Sequence, residues 1–328
     1  MESFKYILTY SYNNNKIETI KKMPVVRRSK TEQQEVLDDG AEKKPVQLKD
    51  LFNYGRWKRP FTLKHLLFAL YLPFGLILLW PLRFIVNLMY FSSSLFLPKS
   101  VISKLKFLLY FTMGLNVSFK GLENVPEKTV TKDTARILVC NHLTDFDPYP
   151  VFLIIQDVHC LVAAHIEKVP IVGTVYKKVM NTIFVDATQK DKVKDDVRAS
   201  LSKSSLPLLI YPEGGLTSGK TGMMMFQKFV FGLNLPIVPM AMKMSNPWPV
   251  EIDYLGSSWF KNFFWWMLIP YHNIELEFLP KVSIRPGEQD FEFASRVQTL
   301  IANHLGIEPT SYPYAQKKEL AKQLFSKN

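Results

Sequence analysis

The stretch Ile137-Leu-Val-Cys-Asn-His-Leu-Thr-Asp-Phe-Asp147 joins an apolar run to a polar turn. A short apolar run that ends in turn residues is typical of a buried strand. An imidazole such as that of His142 can remove a proton from a hydroxyl group, provided that a carboxylate fixes its tautomer. We therefore predict a strand followed by a base, His142, and its orienting partner, Asp147. Asp145 is the weaker candidate for the partner.

A second motif, Tyr211-Pro-Glu-Gly-Gly215, follows the apolar run 206–210. Taken alone, the first motif has a plainer interpretation, in which Asp147 only caps a helix that begins at Pro148. The two motifs together favour acyl transfer to a hydroxyl group. The acceptor's own oxygen would then be the nucleophile, so no enzyme serine is needed.

Short apolar runs alternate with polar helical stretches from Lys120 onward. This alternation predicts an α/β fold with a mixed, mostly parallel sheet flanked by helices. The predicted strands are Ala135–Cys140, His159–Ala164, Thr182–Val185, Leu206–Tyr211, Ile237–Met242 and Ile274–Leu279. The predicted helices are Pro148–Ile155, Pro170–Met180, Lys190–Ser204, Met223–Phe231 and Glu288–Leu305.

The segment from Leu66 to Leu97 is strongly apolar and contains Pro73 and Pro81. Two prolines would kink a helix, and the basic residues on both flanks would keep both ends on the cytosolic side. We therefore expect an N-terminal apolar membrane hairpin that dips into one leaflet. The alternatives are a buried helix pair of a soluble domain and a single span. The aromatic run 259–269 fits either a membrane interface or an aromatic core.

The 328 residues carry a net charge of +12, which favours anionic partners. The basic residues form no arginine-rich stripe, so we expect a lipid membrane and no nucleic acid as partner. Cys140 and Cys160 lie in apolar runs and are expected to be reduced core residues. The histidines at 159, 165, 272 and 304 have no partner carboxylate at metal-ligand spacing, so no metal site is expected.

The two motifs resemble those of the glycerolipid (PlsC-type) acyltransferase superfamily. Two further blocks, Asn181-Thr-Ile-Phe-Val-Asp-Ala187 and Pro236-Ile-Val-Pro-Met240, are similar to blocks of that family, and so is the preceding Pro170-Ile-Val-Gly173. The resemblance implies transfer of a fatty acyl group from acyl-CoA or acyl carrier protein to glycerol phosphate or a lysophospholipid. It implies acyl-CoA as a co-substrate and no bound cofactor.

The resemblance also assigns roles to residues. It implies that His142 is the general base and Asp147 its partner. It implies that Glu213 and Gly214 shape the acceptor site, and we expect Gly215 and Lys220 to bind the acceptor there as well.

This sequence departs from the family pattern at the acceptor site. The family arginine of the second block is Ala187 here, the arginine of the usual Pro-Glu-Gly-Thr-Arg is Leu216, and the threonine is Gly215. Those arginines would hold the acceptor's phosphate through bidentate hydrogen bonds. Lys220 is the expected partial substitute, as a point charge. The departures favour a lysophospholipid with a larger headgroup, or a protein with reduced or no transferase activity.

Within the superfamily, the apolar segment, Phe226 after a methionine run, and the stretch from Phe291 to Gly306 resemble the ancient ubiquitous protein family. Its members sit monotopically on endoplasmic reticulum and lipid droplets and take part in protein quality control. The resemblance implies this localisation with both termini cytosolic, and quality-control partners. A scaffold with a weakly active or inactive acyltransferase fold is thus the alternative function. Only 22 residues follow Gly306, which is too few for that family's CUE domain, so we expect a member without it.

The expected organisation has four parts. Residues 1–60 form a flexible polar tail, and 61–119 form the membrane hairpin and an interfacial helix. Residues 120–285 form the acyltransferase domain, and 286–328 form a C-terminal helix and tail.

One competing motif remains. Gly214-Gly-Leu-Thr-Ser-Gly-Lys-Thr221 fits the phosphate-cradling P-loop pattern, which places nucleotide binding among the alternatives. The same glycine-rich turn could instead bind the phosphates of CoA.

Overall fold

The computed structural model describes residues 44–325, apart from 128–133, 156, 170–171, 180 and 187–189. The strands are β1 (Leu115–Lys120), β2 (Ile137–Cys140), β3 (His159–Ala163), β4 (Ile183–Val185), β5 (Leu208–Ile210), β6 (Gly222–Met223), β7 (Ile237–Ser245), β8 (His272–Phe278) and β9 (Glu308–Pro309). Seven of them form one sheet in the order β1-β8-β7-β2-β5-β3-β4, and β6 pairs with β9. Neighbours in the large sheet run parallel except β7 and β8. The predicted mixed, mostly parallel sheet is confirmed.

Helices cover both faces of the sheet. They are α1 (Leu63–Phe74), α2 (Trp80–Phe96), α3 (Lys99–Thr112), α4 (Pro148–Ile154), α5 (Val172–Val179), α6 (Lys190–Lys203), α7 (Trp259–Leu268), α8 (Asp290–Leu305) and α9 (Tyr314–Phe325). Short 3-10 turns lie at Leu48–Leu51, Leu122–Asn124, Ala164–Lys168 and Phe231–Leu233.

Side chains of each strand alternate between the two faces, as the pleat requires. In β2, Leu138 and Cys140 belong to the core on one face, and Ile137 and Val139 to the core on the other. Residues of α1, α4 and α7 fill the first core, and residues of α6 and α8 fill the second. The aromatic helix α7 contributes the buried Trp266, so this part of the aromatic run is core.

Residues 63–96 form one continuous helical stretch, so the prediction of a hairpin within 66–97 is wrong. Helix α1 passes into α2 through a π-helical turn at Gly75–Leu79, where the Trp80 N–H donates to the Gly75 carbonyl. A wider turn relieves the clash that a proline causes, so Pro81, which has no N–H, continues the helix. The helix ends before Leu97, whose backbone is extended, and α3 then packs against α2.

One side of this helical stretch packs on the body, and the rest is exposed and apolar. The buried residues are Phe68, Gly75, Arg83, Asn87, Tyr90 and Ser94. The most exposed include Leu66, Leu70, Ile77, Leu78, Ile85, Leu88 and Met89. The stretch Leu63–Phe96 is long and apolar enough to cross a membrane, and only 11% of its most apolar window is buried. The alternative of a buried helix pair in a soluble domain is therefore wrong.

Arg83 fixes α2 to the body. Its side chain is 2% exposed, and its guanidinium donates to the backbone carbonyls of Thr112, Met267, Ile269 and Pro270 at 2.5–2.8 Å. These carbonyls stand near the ends of α3 and α7, where helices leave carbonyls without intrahelical partners. One buried cation thus joins three helices.

Two further expectations need correction. The predicted helix Met223–Phe231 is absent: these residues form β6, a loop and a 3-10 turn, since β6 pairs with β9 instead. The predicted flexible tail ends earlier than residue 60. Leu51 and Phe52 are buried in an apolar cluster, and Trp57 pairs with Val250, so residues 46–60 belong to the body. Residues 1–43 of the predicted tail lie outside the described residues.

Candidate active site

The two sequence motifs meet at one edge of the sheet. Strands β2 and β5 are adjacent and parallel, so their carboxyl ends lie side by side. His142 follows β2, and Glu213 follows β5. In open α/β sheets this is the edge at which ligands bind. Asn141 helps to fix the edge, because its side chain bonds both the N–H and the carbonyl of Met242 on β7.

His142 and Asp147 form the predicted pair. The Nδ1 atom of His142 lies 3.0 Å from Oδ2 of Asp147. Asp147 is 1% exposed and keeps its carboxylate away from water, whereas the His142 side chain is 20% exposed. A carboxylate that accepts the proton of Nδ1 leaves Nε2 as the basic atom.

Asp147 also shapes the loop that carries His142. Its carboxylate accepts the backbone N–H groups of Leu143 at 2.6 Å and Thr144 at 3.0 Å, and the Thr144 hydroxyl at 2.8 Å. The carboxylate makes no side-chain cap on α4. The plainer interpretation of Asp147 as a helix cap is therefore wrong, since its hydrogen bonds go to the histidine and the loop.

The buried side chain of Glu213, in the second motif, contacts the backbone of the first motif. It is 0% exposed, and its Oε1 accepts the His142 backbone N–H at 2.8 Å while Oε2 accepts the Met224 N–H at 2.9 Å. Burial raises the pKa of Glu213 to about 7, against the opposing effect of these two N–H donors. Both carboxylate oxygens are engaged with backbone, so the geometry gives Glu213 a positioning role for His142. Its predicted role in acceptor binding stays a prediction.

Tyr211 supports the histidine ring from one face. The two rings stack with centroids 4.4 Å apart and an interplanar angle of 19°. Sequence reasoning assigned no role to this tyrosine, although it opens the second motif. The tyrosine thus covers one face of the imidazole ring and limits its rotation toward that side.

The glycines of the second motif are required by close packing. Gly214 has φ of +71°, and a Cβ there would lie 2.0 Å from Nε2 of Gln227. A Cβ on Gly215 would lie 2.5 Å from the ring of Tyr314 on α9. The family threonine would therefore not fit at Gly215 while α9 is docked.

Lys220, the expected substitute for the family arginines, is engaged elsewhere. Its Nζ lies 2.7 Å from Oε1 of Glu251 and 2.9 Å from Oδ1 of Asn53. Its charge is thus already compensated, and its role at the acceptor site stays a prediction. Ala187 lies outside the described residues.

A cation that the sequence did not reveal stands at the second motif instead. Nζ of Lys317, on α9, donates to the Leu216 carbonyl at 2.5 Å. Leu216 is the position where the family has arginine. The sequence indicates this cation only indirectly. Gly215 and Leu216 replace the family threonine and arginine after Pro-Glu-Gly, so other side chains are expected to fill that space.

The stretch Gly214–Thr221 does not have the geometry of a P-loop. Thr221 leads into β6 and not into a helix, and several N–H groups of the loop donate to other parts of the protein. The Thr217 N–H donates to the His142 carbonyl, and the Ser218 N–H donates to the Leu51 carbonyl. A phosphate cradle needs those N–H groups to be free. The geometry of this loop therefore gives no support to the nucleotide-binding alternative.

Comparison with known proteins agrees with this geometry. Residues 116–243 match the model of the acyltransferase family. The crystal structure of PlsC, the 1-acyl-sn-glycerophosphate acyltransferase from Thermotoga maritima, superposes with a TM-score of 0.50. The match covers 70% of this chain and 95% of PlsC at 15% identity, and it shows the fold. The chain thus has a PlsC-like fold with a stretch that matches the acyltransferase family, and the predicted resemblance to the glycerolipid acyltransferase superfamily is confirmed.

The nearer resemblance is also confirmed. A Caenorhabditis elegans protein named lipid droplet-regulating VLDL assembly factor AUP1 homolog is 27% identical over 85% of this chain and 68% of its own length. The Danio rerio protein of the same name, AUP1, is 28% identical over 79% of this chain and 58% of its own length. These proteins are the ancient ubiquitous protein family. The chain therefore matches about three fifths to two thirds of the length of these relatives.

Proposed function

We propose that this protein is a membrane-bound acyltransferase that moves a fatty acyl group from acyl-CoA to a hydroxyl of a lysophospholipid or glycerol phosphate. The observation that carries the proposal is the His142–Asp147 pair, at 3.0 Å, on the ligand-binding edge of a PlsC-like sheet. Three independent supports hold the histidine: Asp147 at the ring, Tyr211 on its face, and Glu213 at its backbone N–H.

The chemistry follows from that support. The hydroxyl oxygen of the acceptor forms a bond to the thioester carbonyl carbon, and Nε2 of His142 takes the proton of that hydroxyl. The carbon–sulfur bond then breaks, and the CoA sulfur leaves with that proton. Asp147 stabilises the imidazolium between the two steps and stays ionised. The transfer needs neither an enzyme nucleophile nor a metal ion, because the thioester is already activated.

The membrane would reach the site along its aromatic rim. Phe146, within the first motif, packs near Trp259 and Trp266 of α7. Trp259 and its neighbour Phe260 are 46% and 78% exposed, and aromatic side chains of this kind suit the headgroup layer. The exposed apolar side of the stretch 63–96 would also enter this leaflet. Burial of each such side chain in the lipid would stabilise the bound state by about 1.5–3 kcal/mol.

The test is transfer by the full-length protein in liposomes. Labelled acyl-CoA is supplied with a panel of lysophospholipids and glycerol 3-phosphate, and the products are separated by mass. Wild-type protein is expected to acylate at least one acceptor, and His142→Ala to lose that product. A product that forms equally with His142→Ala would overturn the mechanism.

A second function has its own support. The relatives named AUP1 are described as lipid droplet-regulating assembly factors. Leu216 replaces a family arginine, which weakens the acceptor site. We therefore keep a scaffold at lipid droplets or endoplasmic reticulum, with a weakly active fold and quality-control partners, as the alternative. Lipid-droplet defects in cells that His142→Ala fully rescues would favour the scaffold, and defects that it fails to rescue would favour the enzyme.

The same proposal includes a monotopic placement with both ends of the chain on the cytosolic side. It rests on Arg83 and its four carbonyl partners, which hold the middle of the apolar stretch against the body. Alkaline extraction should leave the protein in the membrane fraction. Protease added to sealed microsomes should remove tags from both ends, and protection of one end would instead indicate a span.

A further inference from the structure

We propose that α9 closes a headgroup pocket between the two motifs, and that this pocket selects an acceptor whose phosphodiester carries a primary ammonium group. The inference rests on the proposed function, since it names the acceptor class of the same site. It joins side chains of α9 to Asp145 of the first motif and Leu216 of the second.

The pocket lies where the two motif loops face α7 and α9. Its cavity measures about 200 Å³, and its walls include Asp145 of the first motif and Leu216 of the second. A water molecule takes up about 30 Å³ of liquid, so the cavity has room for roughly seven waters. That space suits a phosphate with a short amine and not a fatty acyl chain. Trp259, on the proposed membrane rim, forms part of the wall.

The side of the pocket formed by α9 is basic. Lys317 and Lys318 both line it. An ammonium has three N–H donors, and the only acceptor found for Lys317 among the described residues is the Leu216 carbonyl. Burial lowers the pKa of Lys317, against the pull of Asp253, Glu213 and Asp145. Its charge is therefore poorly solvated and would be stabilised by an anionic phosphate.

Another part of the pocket wall is acidic. Asp145 and Asp253 are bridged by Asn262, whose Nδ2 lies 3.1 Å from Oδ2 of Asp145 and 2.9 Å from Oδ1 of Asp253. Ser257 also donates to Oδ1 of Asp253 at 2.9 Å. Burial raises the pKa of Asp253, which again indicates a charge short of solvent. A ligand ammonium placed here would add a positive charge and N–H donors beside these two carboxylates.

Two of the three departures from the family pattern, Gly215 and Leu216, fit this closure. The Tyr314 ring occupies the space over Gly215 that the family threonine would need, and Lys317 stands at Leu216 in place of the family arginine. A dianionic phosphate monoester would bring two negative charges beside Asp145 and Asp253, which would repel it. A zwitterionic headgroup satisfies both walls at once.

The experiment measures binding without turnover. Full-length protein in nanodiscs is titrated by calorimetry with glycerophosphoethanolamine and, separately, with sn-glycerol 3-phosphate. The amine-bearing probe is expected to bind more tightly. Lys317→Gln and Asp145→Asn should each weaken it by roughly tenfold or more, as the loss of a hydrogen bond to a charged group implies. Lys322→Gln, an exposed site on the same helix, serves as the matched control and should bind like wild type.

The outcomes separate this inference from the proposed function. Equal or tighter binding of glycerol 3-phosphate, or binding that Lys317→Gln leaves unchanged, would overturn the pocket. His142→Ala should bind the probe normally while losing transfer. If wild type binds the amine-bearing probe selectively but transfers no acyl group, the proposed function is wrong and the headgroup pocket is supported. If wild type transfers acyl groups without selecting a headgroup, the pocket is wrong and the proposed function is supported.

Discussion

The carboxylate of Asp147 serves both the histidine ring and the backbone of the loop that carries it. Its four donors are the His142 Nδ1, two backbone N–H groups and the Thr144 hydroxyl. A hydroxyl proton can pass to Nε2 only while this arrangement holds the tautomer. The tautomer of the base therefore depends on one buried side chain.

Asp147→Asn should lower kcat by roughly 10³–10⁴-fold, because an amide cannot hold the required tautomer as a carboxylate does. The substitution keeps the size of the side chain, so the fold should survive. Transfer rates and circular dichroism spectra of the variant check both statements. A folded variant with wild-type kcat would contradict the role given to Asp147.

Glu213→Gln should destabilise the protein by about 1–3 kcal/mol. The NH₂ group of the glutamine would face a backbone N–H that accepts no hydrogen bond and that the wild-type carboxylate satisfies.

The pH dependence of the free energy of unfolding should change as well. Glu213 has a pKa of about 7 in the folded protein against an ordinary 4.5. The folded state thus binds the extra proton between those values, so its contribution to stability falls as pH rises from about 4.5 to about 7. Thermal unfolding at several pH values should show this fall in wild type and lose it in Glu213→Gln.

At this scale the sequence predicted the contact between His142 and Asp147, but not the surroundings of the second motif. His142 and Asp147 lie close because they share one turn, which spacing alone can indicate. The contact of Glu213 with the His142 N–H could not be predicted, since only the parallel pairing of β2 and β5 brings the two residues together. Its predicted role at the acceptor site stays a prediction. Lys317 is remote in sequence, so no local pattern announces it.

Among the elements, the stretch 63–96 shows how packing overrides a local signal. Prolines at 73 and 81 predicted a break, yet the π-helical turn absorbs the strain and the helix continues. Arg83 is a charged residue within this apolar stretch. It turns out to be the side chain that fixes the helix, because its charge is shared among four carbonyls of the body.

Arg83→Met should cost at least about 3 kcal/mol of stability, since each buried carbonyl that loses its donor costs about 1–3 kcal/mol. The midpoint of thermal unfolding in detergent measures the effect. Leu88→Ala, an exposed site on the same helix, should leave the midpoint nearly unchanged and controls for helix propensity. An equal shift in both variants would show that Arg83 is not the anchor.

The central strands of the sheet were predicted more closely than the edge strand β1 and the segment 223–231. Runs such as 137–140 are apolar on both faces, as a central parallel strand must be, and they were found within two residues. Strand β1 was missed because its burial alternates and it sits at the sheet edge. The predicted helix at 223–231 failed because β6 finds its partner, β9, more than 80 residues later, at Glu308–Pro309.

For the whole molecule, the proposal requires that the apolar stretch and the active site face the same membrane. Ile77→Asp with Ile85→Asp should release the protein from liposomes, because each charge costs about 2.5–3.5 kcal/mol near the bilayer centre. Sedimentation with lipid measures the bound fraction. Ser295→Asp, on α8 across the sheet, is the control and should stay bound. Retention of the double variant would contradict the proposed membrane face.

The most direct test of the whole proposal is the rate of CoA release from acyl-CoA in liposomes that contain a lysophospholipid. Full-length wild type should release CoA in step with formation of the diacyl product, and His142→Ala should fall to the rate of liposomes without protein. Equal rates for wild type and His142→Ala would contradict the proposal that this histidine pair performs acyl transfer.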